Sequence, residues 1–147
     1  MTFDCRHLPL LSHTTTLDLA KKIAPSLKCG DVVAIKGDLG VGKTLFCSGI
    51  INFFYPDLIA GSPTFNLLNS YESSSDSNAV IHHYDLYRLK NMAEIYNLGI
   101  EDSFTSAISL IEWPEIIESI LPPDIIKITI TLSDNLRYVD VEDCRIS

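Results

Sequence analysis

The sequence predicts an α/β fold: a mainly parallel sheet flanked by helices, with an antiparallel hairpin near the C-terminal end. Three observations carry that expectation. Short apolar, β-branched runs alternate with helix-length segments along the chain. A glycine-rich loop at 37–44 joins one such run to a helix. Two further runs, 126–132 and 136–141, flank a Ser133-Asp134-Asn135 turn and read as a hairpin. With 147 residues, 46% of them hydrophobic and 20% charged, the chain has enough apolar surface for a core and is expected to form one domain over 1–147.

Each element follows from local chemistry. Over 16–27, Leu17, Ala20, Ile23 or Ala24, and Leu27 recur at helical spacing, with Pro25 expected to kink or end the helix. Gly30 and Asp31 turn the chain into Val32-Val33-Ala34-Ile35, a buried strand. The helix predicted over 44–54 stops at Tyr55-Pro56. Strands are predicted at 65–71 and 80–84, joined by an exposed turn at Ser73-Ser74-Ser75-Asp76-Ser77. Asn91 with Glu94 makes a capping box for a helix through Leu98, and Gly99 is its stop. Residues 107–111 read as another buried strand, ended by Glu112, Trp113 and Pro114. A helix over 115–121 follows, closed by Pro122-Pro123.

Composition excludes several functions. Eleven basic against nineteen acidic side chains give a formal charge of -8, and such a surface repels a phosphate backbone, so strong direct nucleic-acid binding is not expected. No apolar run approaches the roughly 18 residues of a membrane span. Cys5, Cys29, Cys47 and Cys144 form no C-x-x-C pair and have no metal-ligand spacing, which fits a reducing cytoplasm.

The loop carries the chemistry. Gly37-Asp38-Leu39-Gly40-Val41-Gly42-Lys43-Thr44 fits G-x-x-x-x-G-K-[ST] and has a strand before it and a helix after it. Glycines let backbone N–H groups turn inward around phosphate oxygens, beside the positive end of a helix. Lys43 then reaches the β- and γ-phosphates, and the Thr44 hydroxyl ligates Mg²⁺. The pattern makes the fold P-loop NTPase-like and points to nucleoside triphosphate binding. Such a site also needs an acid at a nearby strand end, and two positions qualify: Asp85 and Glu112.

Four stretches in order resemble the TsaE (YjeE) family, the ATPase component of bacterial tRNA threonylcarbamoyladenosine synthesis. They are the loop at 37–44, Ser62-Pro63-Thr64-Phe65, His83-Tyr84-Asp85-Leu86-Tyr87-Arg88-Leu89, and Ile111-Glu112-Trp113-Pro114; Leu98-Gly99 fits as well. Leu45 departs from the pattern, which often has a second threonine there; Thr44 still supplies the hydroxyl. The resemblance implies ATP and Mg²⁺ as cofactors, with Lys43 and the loop backbone on the phosphates and Thr44 and Glu112 on the metal. It implies Asp85 as a catalytic or water-orienting acid and Thr64 as a switch residue facing the γ-phosphate. Trp113 and Arg88 belong, by the same resemblance, to the site or to the partner surface. Thr16 and Arg137 approach the nucleotide on this reading, although a helix N-cap and a surface arginine of the hairpin explain them equally. The partners it implies are TsaD- and TsaB-like proteins of a tRNA-modifying complex.

Other readings compete. A small-molecule or nucleotide kinase would clamp two phosphorylated substrates with several arginines, whereas Arg6, Arg88, Arg137 and Arg145 are scattered. A GTPase would carry an Asn-Lys-x-Asp segment, and none is present. A nucleotide-binding scaffold would release no phosphate. His83 reads as a packing or hydrogen-bonding residue beside Asp85 rather than a metal ligand.

Overall fold

Val32, Val33, Ala34 and Ile35 are all buried, because strand β2 (Val32–Lys36) lies inside a sheet covered on both faces. Odd and even residues serve different cores. Val33 and Ile35 pack with Phe46, Ile50 and Ile51, while Val32 and Ala34 pack with Ile95, Ile100 and Ile117. The structure is a computed structural model and describes residues 3–58, 67–72 and 79–145.

In chain order the elements are β1 (Asp4–Leu10), α1 (His13–Ile23), β2, α2 (Lys43–Phe54), β3 (Leu68–Tyr71), β4 (Ile81–Asp85), α3 (Met92–Asn97), α4 (Ile100–Ser106), β5 (Ile108–Glu112), β6 (Ile126–Ser133) and β7 (Leu136–Asp143). Short 3-10 segments cover Ala24–Ser26 and Pro114–Ile120. The seven strands form one sheet in the order β1-β7-β6-β2-β5-β4-β3. The four central strands, β6, β2, β5 and β4, run parallel. Antiparallel pairing adds β7 and β1 on one side and β3 on the other. The expected α/β architecture is therefore present, with its hairpin: Asp134 and Asn135 both take positive φ, as a two-residue turn matched to strand twist requires.

Some elements differ from the sequence expectation, each for a local reason. Helix α1 starts at His13 because Ser12 is its N-cap, its side chain accepting from Thr15 N at 3.3 Å. Thr16 is not the cap; it lies one turn inside. Ile23 ends the α-helix, and Pro25 sits in the 3-10 turn that follows, as its missing N–H dictates. The segment after Trp113 is 3-10 rather than α-helical, with Ile117 outside helical geometry. Gly99, at φ 72°, stops α3 as expected and at once starts α4. The serine-rich turn at 73–77 and residues 62–65, Thr64 included, lie outside the described residues.

The C-terminal strand is tied down by Arg145. Its Nε donates to Asp143 Oδ1 at 2.9 Å and its Nη2 to Asp143 Oδ2 at 2.8 Å, while Nη1 donates to Asp31 Oδ2 at 3.1 Å. Burial pushes the Asp143 carboxyl up, but the Arg145 bonds outweigh it and hold the group below its ordinary value of 3.8. A depressed folded-state pKa contributes stability above the ordinary value, and that contribution is lost as pH falls through the lowered one. Arg145→Ala is expected to cost about 1–3 kcal/mol in denaturant unfolding at neutral pH, a range typical of hydrogen bonds to charged groups. The gap should narrow below about pH 4, the ordinary aspartate range. A gap that stays constant down to pH 3 would contradict the account.

Candidate functional site

The C-terminal ends of β2, β5 and β4 lie side by side, which brings one loop and two acids to the same edge of the sheet. Ile35 is in register with Glu112, and Glu112 with Asp85. Crevices outside the carboxyl ends of parallel strands are where such sheets bind ligands. Here the crevice is bordered by the loop between β2 and α2.

Two glycines shape that loop. A Cβ on Gly37 would come within 2.7 Å of both the Ile130 carbonyl oxygen and Val41 Cγ2, so only glycine lets the chain pass β6. Gly42 caps α2 at φ 112°. Lys43 and Thr44 thus open the helix, where N–H groups point outward without intrahelical partners.

Lys43 is almost fully buried. Its Nζ donates to the carbonyls of Gly37 and Asp38, the latter at 3.3 Å, and lies 3.6 Å from the centre of the Trp113 ring. Trp113 takes a left-handed conformation immediately after β5, and Tyr87 packs on it with ring centres 5.0 Å apart. Burial pulls the Lys43 ammonium below its ordinary value, against the pull of Glu112, Glu115, Asp85 and Asp38. A cation kept at that cost, with carbonyls and a ring face as its partners among the described residues, is poised for an anion.

A polar chain, buried at His83 and Glu112, completes this end of the strands. Thr44 Oγ1 donates towards both carboxylate oxygens of Glu112, 3.0 Å from each. His83 Nε2 is 2.6 Å from Glu112 Oε2, and neither residue is accessible beyond 2%. Asp85 ends the neighbouring strand, and its Oδ1 accepts from Tyr87 N at 3.2 Å. A hydroxyl beside a carboxylate is a hard oxygen donor pair, so Thr44 and Glu112 fit a magnesium ion. Cys47, His83 and Glu112 also bring ligand atoms within 4.8 Å of one another. Burial pushes the Cys47 thiol well above its ordinary value, so Cys47 keeps its proton and packs as an apolar side chain.

The other sequence candidates divide. Arg137 Nη2 donates to the Gly40 carbonyl at 3.3 Å, placing the hairpin arginine against the loop. Leu39 is exposed at the loop tip, and Val41 is buried beneath it. Thr16 is buried in α1, and its hydroxyl bonds back to the Ser12 carbonyl at 3.4 Å. His83 hydrogen-bonds within the site, and its partner is Glu112. Nothing in the sequence named that partner, because the two lie 29 positions apart and meet only through strand pairing.

Comparison with known proteins gives one consistent result. The family model described as "Threonylcarbamoyl adenosine biosynthesis protein TsaE" matches residues 10–139. A curated relative from Rickettsia conorii, named tRNA threonylcarbamoyladenosine biosynthesis protein TsaE, is 48% identical over 127 residues, covering 86% of this chain and 71% of the relative. One of the same name from Bacillus subtilis is 35% identical over 116 residues, covering 78% and 70%. The crystal structure of Bacillus subtilis YdiB superposes with a TM-score of 0.77 at 26% identity, covering 98% of this chain and 88% of that one.

Proposed function

Because the chain belongs to the TsaE family, we propose that it is a magnesium-dependent ATPase acting with partner proteins in threonylcarbamoyladenosine modification of tRNA. The observation that carries this reading is the arrangement at the loop of buried Lys43, half-buried Thr44 and buried Glu112. Backbone N–H groups of the loop and of the start of α2 hold the phosphates. Lys43 leaves the Trp113 face and the Gly37 and Asp38 carbonyls for the β- and γ-phosphates. Thr44 and Glu112 hold Mg²⁺, which when bound neutralises charge on the phosphate oxygens. Asp85 orients the attacking water; the switch role that the resemblance implies for Thr64 falls on a residue outside the described ones. Arg137 steadies the loop from the hairpin, and Thr16 approaches the nucleotide from α1. Residues 1–147 act as one domain.

Phosphoryl transfer depends on positioning and charge stabilisation, and P-loop domains without an arginine finger are slow. Arg137 meets the loop through the Gly40 carbonyl, and the isolated protein should hydrolyse ATP slowly. The partners are TsaD- and TsaB-like proteins. No described helix is long and apolar enough to cross a membrane, and the pathway belongs in the cytoplasm.

Phosphate release from ATP tests the reading, measured on the chain alone, with the partner proteins and with bare tRNA. The expected result is slow basal release, at least a tenfold rise with the proteins, and no rise with tRNA, which the charge of -8 repels. Stimulation by bare tRNA equal to that by the proteins would overturn it. So would transfer of labelled phosphate to a small-molecule acceptor, the kinase outcome.

A further inference from the structure

We propose that His83 is a positioning residue for the metal site: its imidazole fixes the Glu112 carboxylate so that Glu112 and Thr44 meet Mg²⁺ preorganised. The proposal rests on Glu112 being a metal ligand, as read above. His83 sits on β4 in register with Leu110 of β5, two residues before the Asp85–Glu112 pair. Period-two alternation therefore puts His83 and Asp85 on one face of β4, and Leu110 and Glu112 on the same face of β5. From there His83 reaches Glu112 Oε2 at 2.6 Å, a charge-assisted distance.

The protonation pattern is set by what each atom can do. A carboxylate only accepts, so His83 must donate from Nε2. Its Nδ1 is buried and has no hydrogen-bond partner among the described residues. An N–H left there would cost a full desolvation penalty and a bare lone pair a smaller one, so the geometry favours a ring that donates from Nε2. Paying even that smaller cost in the core is reasonable only if the Nε2 bond matters. What the bond does is hold one carboxylate oxygen. Thr44 approaches both oxygens at 3.0 Å and could not by itself choose a rotamer for Glu112. Partners behind a metal ligand fix its orientation, and losing one typically weakens metal affinity about 10–100-fold.

The test uses the full chain and reads binding rather than turnover. In His83→Phe, which keeps bulk but not the donor, the Mg²⁺ concentration for half-maximal Mg-ATP binding should rise about 10–100-fold. Metal-free ATP affinity should stay within about twofold, since Lys43 and the loop are untouched. His83→Gln, which can place an amide N–H near the old Nε2, should recover most of the Mg²⁺ affinity. Equal losses with and without metal would reduce His83 to a packing residue and overturn the proposal. Glu112→Ala is the control. If it raises the Mg²⁺ requirement while folded His83→Phe does not, this proposal alone fails. If Glu112→Ala leaves the requirement unchanged, the metal-ligand reading fails and takes the proposal with it. Should His83→Phe not fold, NMR of the metal-free protein decides: an exchange-protected His83 Nε2 proton that disappears in Glu112→Ala supports the bond, and its absence in the unsubstituted protein overturns it.

Discussion

Lys43→Ala is expected to abolish ATP hydrolysis, both basal and partner-stimulated, with a loss of about 10²–10³-fold or more, the scale on which a single stabilising donor at developing charge acts. The lysine holds the transferring phosphoryl group in either state, so partners cannot rescue it. Stability should move differently. Burial already lowers the Lys43 pKa, meaning that the folded protein keeps this ammonium at a cost. Removing it relieves that cost, offset by the lost contacts with Trp113, Gly37 and Asp38. The melting temperature of the variant should therefore not fall in step with its activity. A variant that unfolds, or one that retains stimulated phosphate release, would contradict the assigned role.

The second large effect is that of Glu112→Gln. The amide is isosteric and can still accept from Thr44 or from His83, so the fold should hold. Nucleotide affinity should stay within about tenfold, because phosphates are held by Lys43 and backbone N–H groups. Turnover should drop about 10²-fold, because the charge facing the metal is gone. Unchanged turnover, beside a loss in Asp85→Asn, would transfer the metal-side role to Asp85, the next acid along the strand ends.

Much of this site was legible in the chain because its parts are local. The loop declares itself through glycine spacing between a β-branched run and a helix, and both acids stand where strand runs stop. The hairpin at Asp134-Asn135 is likewise a short-range signal. The parts that were not legible are those made by pairing across the sheet. β1 carries little apolar alternation, because most of it is exposed at an edge, and a shift in register between Cys5 and Leu8 interrupts it. α4 has seven residues with only Ile100 and Ser103 buried, too few to mark a helical period. The His83–Glu112 bond and the stacking of Lys43 on Trp113 depend on β4, β5 and the loop converging, and no spacing along one segment encodes that. The left-handed turn at Trp113 belongs with them: the resemblance puts the residue in the site or on the partner surface, and no local signal marks it as the surface on which the lysine rests.

That resting contact supplies the most direct measurement of the central claim, that phosphates of a bound nucleotide take Lys43 at this loop. Trp113 is the single tryptophan of the chain, and the Lys43 ammonium lies 3.6 Å from its ring centre. Titrating the full chain with ATP and Mg²⁺ while recording tryptophan emission should give a saturable change as the cation moves from the ring to the phosphates, with no comparable change in Lys43→Ala. Emission that stays flat at ATP concentrations where binding is complete by an independent assay would place the nucleotide away from Trp113 and contradict the account.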